Sequence, residues 1–268
     1  MARALRHRNY RLFMLGQGIS LTGTWMQQTA LAWLVYQMTG SSLLLGTVAF
    51  AAQIPTFFLA PIAGVLSDRV SRQRTLIATQ SVAMMQAIVL LLLVWSDNLQ
   101  VWNILALSGV LGLANAFDMP TRQAFLVDMV PTREDLPNAI ALNSSLVNAS
   151  RLIGPFAAGI LLTVAGVIPC FLFNAISYLA VIIAYAIMRD LPSRPRPTGR
   201  FRAGLSEGIR YAFGFPPIRA LLLMMALVSL TGMPMTVLLP AFASDVLHGG
   251  PQLYGFLNGA SGVGALTS

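Results

Sequence analysis

The chain has 268 residues, 56% of them apolar and only 10% charged, with a formal net charge of +8. That is far more hydrophobic surface than one soluble core buries, which excludes an ordinary water-soluble domain. Every basic residue is Arg, set in short clusters between hydrophobic runs and not along one polar face, so the charge reads as membrane topology and excludes a nucleic-acid partner.

In chain order, Arg3, Arg6, Arg8 and Arg11 precede the first apolar run, and Ala30-Leu31-Ala32 mimics a signal-peptide cleavage site. Gln17, Thr22, Thr24, Gln27 and Gln28 interrupt that run, and it outlasts a usual signal core, so it reads as a retained helix. No Asp, Glu, Lys or Arg occurs from Leu12 to Ser67, nor from Leu152 to Met188. A spanning helix needs about 20 such residues, so each stretch holds two spans. Charges and Gly, Pro and Ser breaks place spans near 10–36, 43–66, 75–95, 100–118, 137–164, 168–188 and 218–240, with an eighth beginning near Leu253. The single Cys170 excludes an intramolecular disulfide.

The loops alternate in charge. They are Arg-rich at 1–11, 67–74 and 189–217, mixed at 119–136, and neutral at 37–42 and 165–167. Asp97 stands alone at 96–99, and Asp245 and His248 lie in 241–252. The positive-inside rule therefore puts the N-terminus in the cytoplasm of a cell (inner) membrane, multi-pass protein. Segment 189–217 mixes Arg189, Arg194, Arg196, Arg200, Arg202 and Arg210 with Pro192, Pro195 and Pro197, and reads as a basic cytoplasmic linker. An amphipathic helix over 203–215 is a candidate within it. Six spans, a basic linker and further spans are the layout of a two-bundle transporter. The division is 1–188 as an N-terminal six-helix bundle, 189–217 as linker and 218–268 as the start of a second, truncated bundle.

After span two the chain reads Gly64-Val65-Leu66-Ser67-Asp68-Arg69-Val70-Ser71-Arg72-Gln73-Arg74. Gly64 permits close helix approach, Asp68 suits a helix N-terminus, and the Arg residues suit acids on neighbouring helices. This run resembles the signature of the major facilitator superfamily between its second and third spans. Gly64, Leu66, Asp68, Arg69 and Arg72 match it, whereas Ser71 stands for a Gly and Gln73 for a basic residue. The resemblance implies an all-α polytopic bundle of the major facilitator type, with one or two helices of the C-terminal bundle following the first six. It also implies a cytoplasmic gate in which Arg72 pairs with an acid at the cytoplasmic end of span four. Asp118 stands there, and a local i,i+4 pair between Asp118 and Arg122 is the alternative.

In span five, Arg151-Leu152-Ile153-Gly154-Pro155 precedes Gly159. A mid-helix Pro removes a backbone bond and kinks the helix, and the small residues allow close packing. Gly154, Pro155 and Gly159 resemble the span-five motif of exporters in the same superfamily, with Ala158 in place of a further Gly. Arg151 lies about midway along the span, where a charge needs a cavity or a partner, so it is the leading substrate-contact residue; a register shift of one turn would let it snorkel instead. The wider run around Phe117-Asp118-Met119-Pro120 and Asp128-Met129-Val130-Pro131 resembles the branch holding enterobactin exporters and macrolide efflux proteins.

Gln28, Thr24 and Asn115 are further candidates for substrate contact, and Gln17, Gln27, Gln53, Gln80, Gln86, Asn143 and Asn148 either line a cavity or bond between helices. Classical proton-coupled drug antiporters of the superfamily that this chain resembles carry an Arg inside span four. The run Val101–Phe117 has none, which leaves a coupled proton as an open partner beside the lipid bilayer and a small-molecule substrate. There is no Walker loop, no nucleophile with a matching base, and no cofactor motif; His7 and His248 read as falling on opposite sides without nearby partners. The reading is a secondary transporter of a siderophore-like or drug-like molecule, an exporter working by alternating access and not an enzyme. The alternative is a non-transporting receptor or inactive truncated fragment on the same scaffold.

Overall fold

The computed structural model describes residues 3–67, 70–130, 132–189, 191, 210–211 and 213–267. Eight long helices dominate them: α1 (Arg8–Thr39), α2 (Ser42–Ser67), α3 (Arg72–Trp95), α4 (Val101–Asp128), α5 (Leu136–Val164), α6 (Ile168–Ala186), α7 (Pro216–Val237) and α8 (Pro251–Thr267). Six described segments, covering α2 to α7, are long and apolar enough to cross a membrane. Helix α1 is longer than a span needs but carries the Gln and Thr residues that dilute its hydropathy.

Local chemistry sets the helix ends. Gly40 closes α1 in the left-handed region, at φ 57°, where its N–H reaches the Tyr36 carbonyl. Ser71 caps α3 by accepting from the Arg74 N–H at 3.5 Å. The residue that departs from the superfamily pattern is thus a helix cap. Pro opens α5, α6 and α7, where a missing N–H costs nothing.

Helix α1 packs between α5 and α6, α3 between α4 and α6, α2 lies on α4, and α8 lies on α5. The buried face of α1 runs Tyr10, Phe13, Gln17, Ser20, Met26, Gln27, Ala30 and Trp33 at helical spacing, so Gln17, Ser20 and Gln27 point inward. A Cβ on Gly16 would lie 2.7 Å from Ala184 Cβ, so a small residue is what lets α1 approach α6.

Two boundary expectations change. Helix α4 does not stop near residue 118 but runs through Pro120 to Asp128, so most of the loop expected at 119–136 is helical. The linker 189–217, with its candidate helix at 203–215, lies mostly outside the described residues. Between α7 and α8 the chain makes a short turn of helix, Leu239–Ala241, and a π-helical turn, Phe242–Val246.

Candidate functional site

One of two polar centres lies at the ends of α3 and α4 expected to be cytoplasmic. Arg72, in the first turn of α3, donates to Asp128 Oδ2 at 2.9 Å and to the Ala124 carbonyl at 3.0 Å. Both side chains are at most a tenth exposed. Asp118 is not the partner of Arg72. It lies nearly three turns deeper, where it accepts from the Thr79 hydroxyl at 3.1 Å and from Gln80 Nε2 at 2.7 Å. Its ion pair is the local one, to Arg122 Nε at 3.5 Å. The reason for this correction is the length of α4: with ten further residues of helix, the acid at the end of the span is Asp128. Asp68 and Arg69 lie outside the described residues. A Cβ on Gly64 would meet nothing within 4 Å among the described residues.

The second centre is in the middle of the helices. Arg151 sits near the centre of α5, half-buried, with its guanidinium carbon 5.5 Å above the Trp25 ring of α1. Its Nε is buried and has no hydrogen-bond partner, and no acid is within ion-pair distance of it among the described residues. Pro155, four residues on, has no N–H, so the Arg151 carbonyl also lacks its helical donor. One position thus presents an unpaired cation and a carbonyl released from the helix ladder.

Trp25 was invisible to the sequence reading, although a Trp at mid-span was a usable hint. Gln28, one turn further along α1, is exposed and makes no hydrogen bond among the described residues. Thr24 donates to the Ser20 carbonyl at 2.9 Å, and its hydroxyl oxygen lies 3.4 Å from the Tyr178 hydroxyl on α6. Asn115 on α4 is half-buried and likewise makes no hydrogen bond among the described residues.

Several polar residues considered for a cavity are structural. Gln27 donates to Gln86 at 3.4 Å and accepts from Asn174 at 2.9 Å, and Ser177 donates to Asn174 Oδ1 at 3.2 Å. All four are nearly or fully buried. Tyr185 donates to Gln17 at 3.0 Å. These bonds clamp α1, α3 and α6 together, and the polar residues of α6 that complete them went unnoticed in a span with no charge. His7 also has a partner, Asp135 at 3.1 Å, which corrects its reading as isolated. Among the described residues, no group of three or more His, Cys, Asp or Glu residues could hold a metal ion.

The Gly-Pro run of α5 has two neighbours. A Cβ on Gly154 would fall 2.6 Å from Trp25 Cβ and 2.9 Å from the Thr22 carbonyl, so this glycine lets α1 and α5 touch where Arg151 meets Trp25. A Cβ on Gly159 would fall 3.0 Å from Gly255 Cα on α8. The α5–α8 contact is therefore nearly backbone on backbone.

The profile of a family described as transmembrane secretion effector matches residues 2–268. The staphyloferrin A transporter of Staphylococcus aureus is 26% identical over 96% of this chain and 64% of its own length. Macrolide efflux protein A of Streptococcus pyogenes is 25% identical over 88% and 59%. The multidrug efflux pump Tap of Mycolicibacterium fortuitum is 28% identical over 86% and 57%. The chain spans about six tenths of the length of these relatives. Its all-helical fold, its apolar spans and the full-length profile match agree: the chain belongs to the transmembrane secretion effector family of the major facilitator superfamily, a family of multi-pass membrane transporters and not of enzymes.

Proposed function

We propose that the chain acts in export of a small molecule by alternating access, with Arg151 and Trp25 at the substrate position. The observation that carries this reading is the mid-span guanidinium on an aromatic face, with no acid beside it among the described residues. A charge at that depth is retained when something uses it. A planar, permanently charged fork suits an anionic or catechol-like group of a siderophore-like or drug-like substrate. The relatives named as transporter and efflux proteins support export.

In this reading residues 1–188 move as one unit, 189–217 connect, and 218–268 begin the opposing unit. Gln28 and Asn115 add polar contacts to substrate, and Thr24 backs them from the α1–α6 seam. Gly64, Asp68, Arg69, Arg72 and Asp128 form the cytoplasmic gate, and Asp118 with Arg122 braces it. Arg clusters on the α2–α3 loop and the N-terminal segment put the N-terminus in the cytoplasm of the cell membrane. Asp118 and Asp128, each paired with an Arg, are the acids on α4 that a coupled proton would meet.

The test is accumulation of a fluorescent efflux panel, including anionic dyes, in cells expressing the protein or its Arg151→Ala variant at matched membrane levels. Lower accumulation with the parent, restored to background by Arg151→Ala, is the expected result. Export that survives Arg151→Ala unchanged removes Arg151 from the substrate position.

A further inference from the structure

We infer that the α1–α6 seam, over the half that ends at Arg8 and Ile187, is a site for one anionic phospholipid, with an acyl chain in an apolar groove and the phosphate on Arg8, Arg11 and Arg189. Binding there does not require export; the orientation proposed above only sets the leaflet, which is the cytoplasmic one.

The groove follows from how the two helices meet. Gly16 faces Ala184, and Gly23 faces Asn174, where a Cβ would fall 3.0 Å from the Asn174 Cα. These contacts run in opposite order on the two helices, so α1 and α6 are antiparallel, and small residues keep the floor between them low. Leu15 precedes Gly16 and Ile183 precedes Ala184. On antiparallel right-handed helices both side chains then turn to the same side of the seam. Ile19 continues the α1 wall at i+4, and Ile176 and Ile187 continue the α6 wall at i−7 and i+4. Leu15 is 67% exposed, and Ile187, the least open of the five, is still 43% exposed, so the described residues leave the groove uncovered. Ile176 to Ile187 rises about 16 Å along the helix, which is about half of a 30 Å hydrocarbon core. The groove is therefore one leaflet deep.

The same faces carry the charge. Arg8 and Arg11 lie at i−7 and i−4 from Leu15, so they extend the α1 wall beyond the apolar stretch. Arg8 crosses the seam, donating through both terminal nitrogens to the Ile187 carbonyl at 3.3 and 3.2 Å. Asn9 donates to the Arg189 carbonyl at 2.6 Å, which holds that residue beside the start of α1. All three Arg are exposed, and none has an acid within ion-pair distance among the described residues. A guanidinium has five N–H donors, so Arg8 keeps donors to spare after its bond to Ile187. Basic pockets between spanning helices at the cytoplasmic side suit anionic headgroups. Three uncompensated cations at the mouth of a leaflet-deep groove match a phosphate diester that carries an acyl chain. Free phosphate would leave the groove empty, and a zwitterionic lipid would bring its own cation to the Arg cluster.

The test places the purified protein in phosphatidylcholine nanodiscs with a phosphatidylglycerol probe that carries a diazirine in one acyl chain. Irradiation should join the probe to the peptides of α1 and α6 that hold Leu15 and Ile183. Unlabelled phosphatidylglycerol should compete, and glycerol 3-phosphate at the same concentration should not. Arg11→Gln with Arg189→Gln removes two side chains that make no hydrogen bond among the described residues, and should weaken binding of the probe about thirtyfold. Ile183→Trp fills the groove while leaving the charges in place, and should lower cross-linking severalfold. Equal cross-linking by a phosphatidylcholine probe with the same chain would show ordinary lipid contact and overturn the site. Cross-links that map away from α1 and α6, or that ignore the paired Arg substitution, overturn it as well, and competition by glycerol 3-phosphate would make the ligand a free phosphate and not a lipid. All the substituted residues are exposed, and monodisperse elution of each variant keeps misfolding from imitating lost binding.

Discussion

Arg151 holds a positive charge at mid-span with only an aromatic face for company. Insertion scales put such a charge at a cost of about 2.5–3.5 kcal/mol, and a cation–π contact returns about 0.5–2. Arg151→Ala should therefore stabilise the resting protein by about 1 kcal/mol while export falls, a combination that thermal unfolding in detergent and the efflux assay read together. Loss of both stability and export would make Arg151 a packing residue. Asp118 predicts the opposite sign. Its carboxylate is 5% exposed and receives Thr79, Gln80 and Arg122. Asp118→Ala strands three donors and should cost about 3 kcal/mol, the low end for breaking a buried pair because Arg122 keeps partial contact with solvent. A change under about 1 kcal/mol would mean that the donors find other acceptors.

At the scale of the helix, α4 shows what the sequence made legible and what it hid. Spans appear as charge-free runs, and most helix ends fall close to where charges and breakers put them. Pro120 looks like a stop, and Asp118, Thr121 and Arg122 look like a loop. Yet Ser108, Leu111, Asp118, Thr121 and Phe125 are all buried at helical spacing, so the face continues past the Pro and carries its polar residues into the protein. That periodicity was readable; its polar members disguised it, and the misplaced end in turn gave Arg72 the wrong acid. The mid-span site was half legible: a charge at depth pointed to Arg151, but nothing in one sequence pairs Trp25 with it. The Arg72–Asp128 pair predicts that Arg72→Asp alone impairs export and that Arg72→Asp with Asp128→Arg recovers much of it. Rescue by Asp118→Arg instead would restore the discarded pairing. Likewise, Gly154→Val should overpack the α1–α5 contact, costing about 1–3 kcal/mol and moving Trp25 off Arg151. Thermal unfolding with Trp fluorescence at the same position checks both effects.

Across the whole molecule, burial is uneven in a way that bears on orientation. Helices α1, α3 and α6 share a buried polar seam, whereas the most apolar stretch of α7 and the residues after it has no buried residue. An apolar helix exposed all round needs lipid or protein around it. The ends of the bundle differ in charge: exposed Arg3, Arg6, Arg8, Arg11, Arg74, Arg133 and Arg189 gather at the loops before α1, between α2 and α3, between α4 and α5, and after α6. The opposite loops hold Gly40, Asp97 and Gly166 without a basic residue. Surface Arg near anionic lipid is worth about 1 kcal/mol each, so reversing the bundle would forfeit several kcal/mol at once. In a Cys170→Ala background, Ser41→Cys and Ser96→Cys should therefore react with an impermeant maleimide on intact cells, and Thr132→Cys should react only after the membrane is opened. The reverse pattern would place the Arg72–Asp128 pair at the outer surface and the Gly40 end of α1 in the cytoplasm.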